Sequence, residues 1–207
     1  MDYLVTMTTQ VPEGVTDSAV AAVRAREAAH TAQLARAGRV LRLWRPPLRP
    51  GEWRTLGLFT ADDADDLEQT LAGMPLRVWR ADAVTPLHPH PNDPGAGRVP
   101  LDPGCTEFLT TLVVDIPAGT PAAEVDDTTA REAQRARELA AAGHLLRLWA
   151  LSAQGRNLGL WQARGTEEMA EVVRSLPMAP WLTVDTVPLT THPSDPATAA
   201  AVESSTS

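Results

Sequence analysis

The sequence predicts an α+β chain built from two copies of one β-α-β-β-α-β unit. Three observations predict it. The phrase "AGRVLRLWR" at 37–45 returns as "AGHLLRLWA" at 142–150. The register shift between the copies holds far beyond that phrase. Strand and helix signals also recur in the same order in both copies.

The shift is 105 residues up to the repeated phrase, and it aligns "YLVTMTTQVPEGV" at 3–15 with "FLTTLVVDIPAGT" at 108–120. "RAREAAHTAQLARAG" at 24–38 aligns with "TAREAQRARELAAAG" at 129–143. Beyond the Trp the shift becomes 102, because the second copy has a shorter loop. "LGLF" at 56–59 then meets "LGLW" at 158–161, and "HPND" at 90–93 meets "HPSD" at 192–195. The expected organisation is repeat 1 over 1–94, a Pro/Gly linker over 95–105, repeat 2 over 106–196 and a disordered tail over 197–207.

Each element of the first copy has its own signal. Residues 3–9 alternate as a strand, with Tyr3, Val5 and Met7 on one side. Thr16 or Asp17 caps a helix that stops at Gly38. Residues 39–45 and 54–60 read as the second and third strands. Asp62 or Asp63 opens a second helix that ends at Gly73, and 77–85 is the fourth strand. This order is the ferredoxin-like, split βαβ arrangement, with both helices on one face of a four-stranded antiparallel sheet. Its other sheet face needs a cover, so the two units are expected to pair as a pseudo-dimeric, α/β-barrel-like whole.

The chain has 207 residues, 43% of them hydrophobic, which is enough for a real core. A net charge of −8 argues against nucleic acid or an anionic membrane as partner. All 18 basic residues are Arg, which excludes a lysine Schiff base. Cys105, the single cysteine, follows a Pro/Gly run and reads as a linker or strand-start residue. The chain carries no long apolar run, metal-ligand spacing, phosphate loop or dinucleotide fingerprint. The expectation is a cytoplasmic protein acting on a small molecule without metal or cofactor. It would be a pseudo-dimer within one chain, open to further homo-oligomerisation.

On a wheel of about 100° per residue, Val20, Val23, Thr31 and Leu34 form the stripe that should face the sheet. Glu27 falls in the middle of it. Glu132 takes the same place in copy 2, among Val125, Thr128, Ala136 and Leu139. A carboxylate aimed at a core must be paired, protonated or facing a cavity. So Glu27 is read either as the partner of a sheet arginine, or as solvated, or as a general base in a pocket. His90 and His192, each before Pro, are candidate proton donors or substrate clamps. Arg45 ends the second strand as a candidate anion anchor, where copy 2 has Ala150. His30, Trp44 and Trp149 complete the candidate substrate contacts, with packing as the alternative for both tryptophans.

Together, "RAREAAHTAQLARAGRVLRLWR", "MPLRVW" and "HPND", with "TAREAQRARELAAAGHLLRLWA", "LPMAPW" and "HPSD", resemble the muconolactone Δ-isomerase family. The resemblance covers each copy almost end to end. It implies a ferredoxin-like unit, a cofactor-free 1,3-proton shift on a small unsaturated lactone in aromatic catabolism, and large oligomers. It places Glu27 and Glu132 at the acid–base carboxylate, Arg45 on the Trp-Arg, and His90 and His192 on the His-Pro. Leu56-Gly57 and Leu158-Gly159 stand where the family has a Tyr-Ser pair, so both pockets should be less polar. That suits a larger or more apolar, polyketide-like substrate of secondary metabolism. A cyclase or cofactor-free monooxygenase on the same scaffold is an alternative, as is a ligand-binding pseudo-enzyme. Copy 1 keeps Glu27, Arg45 and His90 and is expected to hold the better site.

Overall fold

The computed structural model describes residues 1–198. Its elements follow the repeat. The first copy contributes β1 (Asp2–Thr9), α1 (Asp17–Arg36), β2 (Val40–Arg45), β3 (Arg54–Thr60), α2 (Ala64–Ala72), a 3-10 turn (Pro75–Trp79) and β4 (Arg80–Pro89). The second contributes β5 (Thr106–Val114), α3 (Ala122–Ala141), β6 (Leu145–Ala150), β7 (Arg156–Ala163), α4 (Thr166–Arg174), a 3-10 turn (Ala179–Trp181) and β8 (Leu182–Thr191). No helix among the described residues is long and apolar enough to cross a membrane. Most of the tail expected to be disordered, 199–207, lies outside the described residues.

Local chemistry accounts for the element ends. The Thr16 hydroxyl accepts the Ala19 N–H and caps α1, and Asp63 accepts the Asp66 N–H and caps α2. The last strand of the first copy starts later than the expected 77, because Pro75 and the residues after it wind into the 3-10 turn first.

The chain divides into two compact units, and they are not the two repeats. Unit 1 is Met1–Pro86 together with the described residues from Thr190 onward, and unit 2 is Leu87–Leu189. The final strand of each repeat is long enough to leave its own unit and end in the other. In unit 1 the strand order is β4-β1-β3-β2, and the end of β8 pairs with β2 through Trp44↔Thr191 and Arg45↔Thr190. In unit 2 the order is β8-β5-β7-β6, and the end of β4 pairs with β6 through His88↔Ala150 and Pro89↔Trp149. The expected 95–105 linker is also tied down within unit 2. The Gln162 amide accepts the Asp102 N–H and donates to the Pro100 carbonyl.

Each unit has its own core under its helices. Tyr3, Val5, Met7, Val40, Phe59, Leu67 and Leu71 fill the first. Phe108, Leu139, Leu145, Trp161, Met169 and Val172 are prominent in the second. Gly57 and Gly159 are required by this packing. A Cβ on Gly57 would stand 2.4 Å from the Phe59 ring, and one on Gly159 would stand 2.3 Å from Trp161 Nε1. The space a Ser side chain would need is therefore filled by an aromatic ring. The Trp161 indole lies across Gly159 and donates to Thr110 Oγ1 at 2.8 Å.

An aspartate fixes each exchanged segment. Asp195, 2% exposed, accepts the Leu43 N–H at 2.8 Å and the Arg42 guanidinium at 3.1–3.2 Å. Asp93 does the same in unit 2 with the Leu148 N–H at 2.9 Å and Arg147 at 3.2 Å. Removing Asp195 leaves the buried Leu43 N–H unpaired and takes away the carboxylate that faces Arg42. Asp195→Ala should cost about 3 kcal/mol in urea unfolding. Asp93→Ala should cost less, because its side chain is 17% exposed against 0% for Asp195. A loss below about 0.5 kcal/mol for Asp195→Ala would show that the clamp is incidental.

Candidate functional site

Each unit holds a pocket between its long helix and its sheet. The unit 1 pocket is about 300 Å³ and the unit 2 pocket about 500 Å³. In both, the glutamate on the helix stripe lines the cavity, beside Thr31 in one and Ala136 in the other. Val23 and Thr31 bury beside Glu27; Thr128 and Ala136 bury beside Glu132.

The two carboxylates start from the same anchor. Glu27 Oε2 accepts the Leu76 N–H at 2.8 Å, and Glu132 Oε2 accepts the equivalent Met178 N–H at 2.9 Å. Beyond that they differ. Glu27 Oε1 accepts Arg80 Nη1 at 3.0 Å, and the Arg80 side chain is 2% exposed. Arg80 is held in turn by Asp82 at 2.6 Å, and Asp82 by Arg77 at 2.6 Å. In repeat 2 the counterparts of Arg80, Asp82 and Arg77 are Leu182, Val184 and Ala179, so the whole ionic chain is replaced by apolar groups. Glu132 Oε1 has no hydrogen-bond partner among the described residues. Burial pushes the Glu132 carboxyl above the usual range, and the Met178 N–H only partly offsets this.

The histidines arrive from the opposite repeat. His192 lines the Glu27 pocket, and His90 lines the Glu132 pocket. The sequence grouping of Glu27, Arg45 and His90 is therefore corrected to Glu27, Arg45 and His192. The physical reason is that β4 and β8 end in the other unit. In each His-Pro turn the ring Nδ1 accepts a backbone N–H two residues on, from Asn92 or Ser194, at 3.1 Å. A ring nitrogen that accepts carries no proton, so the neutral ring holds its proton on Nε2. Burial, then Arg45 and Arg24, pushes His192 down to about 4. Burial also lowers His90, against the opposing pull of Asp93. Both rings are thus neutral hydrogen-bond donors at pH 7.

Arg45 lines the unit 1 pocket, and Arg24 joins it, stacked over Trp53 at 5.4 Å. Arg24 was missed in the sequence because it lies just beside the stripe, one turn after Val20, where an arginine on an arginine-rich helix reads as solvated. The other three substrate candidates do not line either pocket. Trp44 and Trp149 are 1% and 3% exposed and lie under Arg42 and Arg147, so packing explains them. His30 lies beside Gly73 instead, one helical turn past Glu27. Burial and the neighbouring Asp102 push the Cys105 thiol up, away from the thiolate form.

His192 makes a pH-dependent contribution with a definite sign. Its folded value lies below the usual 6.5, so the unfolded chain takes up its proton first. Its contribution is whole above about pH 6.5 and is lost as pH falls towards about 4. An NMR titration of the ring protons should place the His192 midpoint near 4, and Arg45→Gln should raise it. A midpoint of 6 or higher in the parent chain would show that the ring is solvated.

Comparison with known proteins agrees with this geometry. The model of the Muconolactone delta-isomerase family matches residues 1–93 and again 106–195. The Muconolactone Delta-isomerase of Rhodococcus opacus is 28% identical over 88 residues, covering 42% of this chain and 95% of that protein. That of Cupriavidus pinatubonensis is 29% identical over 87 residues, again 42% and 95%. Chlorite dismutase from Candidatus Nitrospira defluvii has a similar fold, with a TM-score of 0.61 at 12% identity over 93% of this chain and 92% of that one. Two successive matches to one family, each nearly a whole relative long, settle the kinship: this chain is a tandem member of the muconolactone Δ-isomerase family.

Proposed function

We propose that the chain is a cofactor-independent isomerase that moves a proton on a small unsaturated lactone or enone, and that Glu132 carries the proton. The observation that supports this most is the state of that carboxyl. It lies in a largely apolar pocket, is anchored at one oxygen by the Met178 N–H, has its other oxygen unpartnered among the described residues, and is pushed by burial towards its protonated form. A base of raised pKa is matched to abstracting a weakly acidic C–H and returning the proton.

The ionised Glu132 takes a proton from the carbon next to the substrate carbonyl. The C–H electron pair moves into the ring, and charge collects on the carbonyl oxygen. The neutral His90 donates from Nε2 to that oxygen, which a charged imidazolium would protonate outright. Glu132 then gives its proton to the carbon two positions away. The double bond has moved and nothing has been added or lost. In unit 1 the same step must compete with the Glu27–Arg80 pair. That argues against the first repeat as the main reacting site, despite its Arg45.

The test uses α-angelica lactone, an uncharged butenolide whose conjugation is a 1,3-proton shift, followed by NMR. The parent chain should accelerate it, and Glu132→Gln should lose about 10²–10⁴ of that acceleration. Glu27→Gln should keep the greater part. Absence of any acceleration, or equal losses from both variants in folded protein, would overturn the assignment.

A further inference from the structure

The two pockets descend from one unit but carry opposite charge. Unit 1 lines its cavity with Arg24, Arg45, Arg80 and Glu27, beside a neutral His192. The repeat-2 counterparts of the three arginines are Thr129, Ala150 and Leu182. The charged residues lining the unit 2 cavity are both acidic, Asp126 and Glu132. The rest of that lining includes Leu112, Leu145, Leu148, Trp161, Met178 and Leu182, and the cavity is the larger of the two.

We infer that the chain sorts ligands by charge: the unit 2 pocket takes a neutral, largely apolar carbonyl compound and rejects carboxylates, which go to the arginine-lined pocket of unit 1. An anion entering unit 2 would give up its water without meeting a cation, and would sit against two acids. A neutral carbonyl compound meets apolar walls, the aromatic face of Trp161 and one donor, His90. It also has a partner in Glu132 when that residue is protonated, because a carboxylic acid donates to a carbonyl. The volume of about 500 Å³ admits more than a single small ring. In unit 1, Arg24 and Arg45 leave a net positive lining, since Glu27 is matched by Arg80. This inference rests on Glu132 belonging to a working pocket, and it is read by binding alone, so absence of turnover does not decide it.

The experiment titrates the full chain with coumarin, a neutral bicyclic lactone, and with coumarin-3-carboxylate, its anionic analogue, by calorimetry. Ala133→Phe fills the unit 2 cavity. It should abolish coumarin binding and leave the carboxylate unchanged. Arg24→Gln with Arg45→Gln should weaken the carboxylate at least about tenfold and leave coumarin unchanged. Thr129→Arg, on the exposed face of the helix, restores the missing cation. In the background lacking Arg24 and Arg45, it should raise carboxylate affinity at least about tenfold. It remains decisive if Ala133→Phe does not fold. The inference is overturned if coumarin shows no saturable binding, or if Ala133→Phe weakens both ligands alike. It also falls if removing the two arginines leaves carboxylate binding intact, or if Thr129→Arg has no effect on it.

Discussion

The clamp between Asp195 and the Leu43 N–H is the contact on which the unit 1 site depends. Leu43 stands one residue beyond the pairing of β2 with the end of β8, so its N–H lies on an open edge. The aspartate occupies that edge as the next backbone carbonyl would. In doing so it folds the His-Pro turn back, leaves the ring Nδ1 accepting from Ser194, and keeps the imidazole on the pocket wall. Arg42 then balances the buried charge. Asp93, Leu148 and Arg147 repeat the arrangement in unit 2. The motif "HPxD" is thus one device: the histidine lines the pocket, and the aspartate holds it there.

The periodic parts of the fold were legible in the sequence. The strand with Tyr3, Val5 and Met7 on one side, the helix capped by Thr16 and the glutamate within its apolar stripe all rest on short-range spacing, and all are present. The exchange of end segments was not legible. Whether β4 pairs with β6 is decided by residues some 60 positions apart, about which local pattern is silent. Arg80 was missed for a related reason. An arginine at the start of a strand reads as exposed, and only the tertiary partners Glu27 and Asp82 make its burial tolerable. The sequence reading did raise a sheet arginine for Glu27 as one alternative, and it raised a pocket as another. The two coexist, because Oε2 and Oε1 have different partners.

The two repeats show how a shared scaffold diverges. The amide anchor for the glutamate, the neutral histidine and the aspartate clamp are retained in both units. What changes is the ionic chain from Arg77 to Glu27, replaced by apolar residues in repeat 2. A buried ion pair and an apolar pair of similar volume can be near-equal in stability. Such an exchange changes what a pocket accepts without a large penalty to the fold.

The crossing of β4 and β8 also constrains the gene. A recombination that joined the two copies of the repeated phrase would delete one repeat and leave a chain of single-repeat length. That chain would still encode a glutamate, a clamp and a His-Pro turn. Its turn, however, would grow from a strand that departs from the pocket it should close. Such a product regains a histidine only by borrowing one from a second molecule like itself. Loss of a repeat is therefore a change of assembly as well as of length, since each half of this chain supplies a wall residue to the other's pocket.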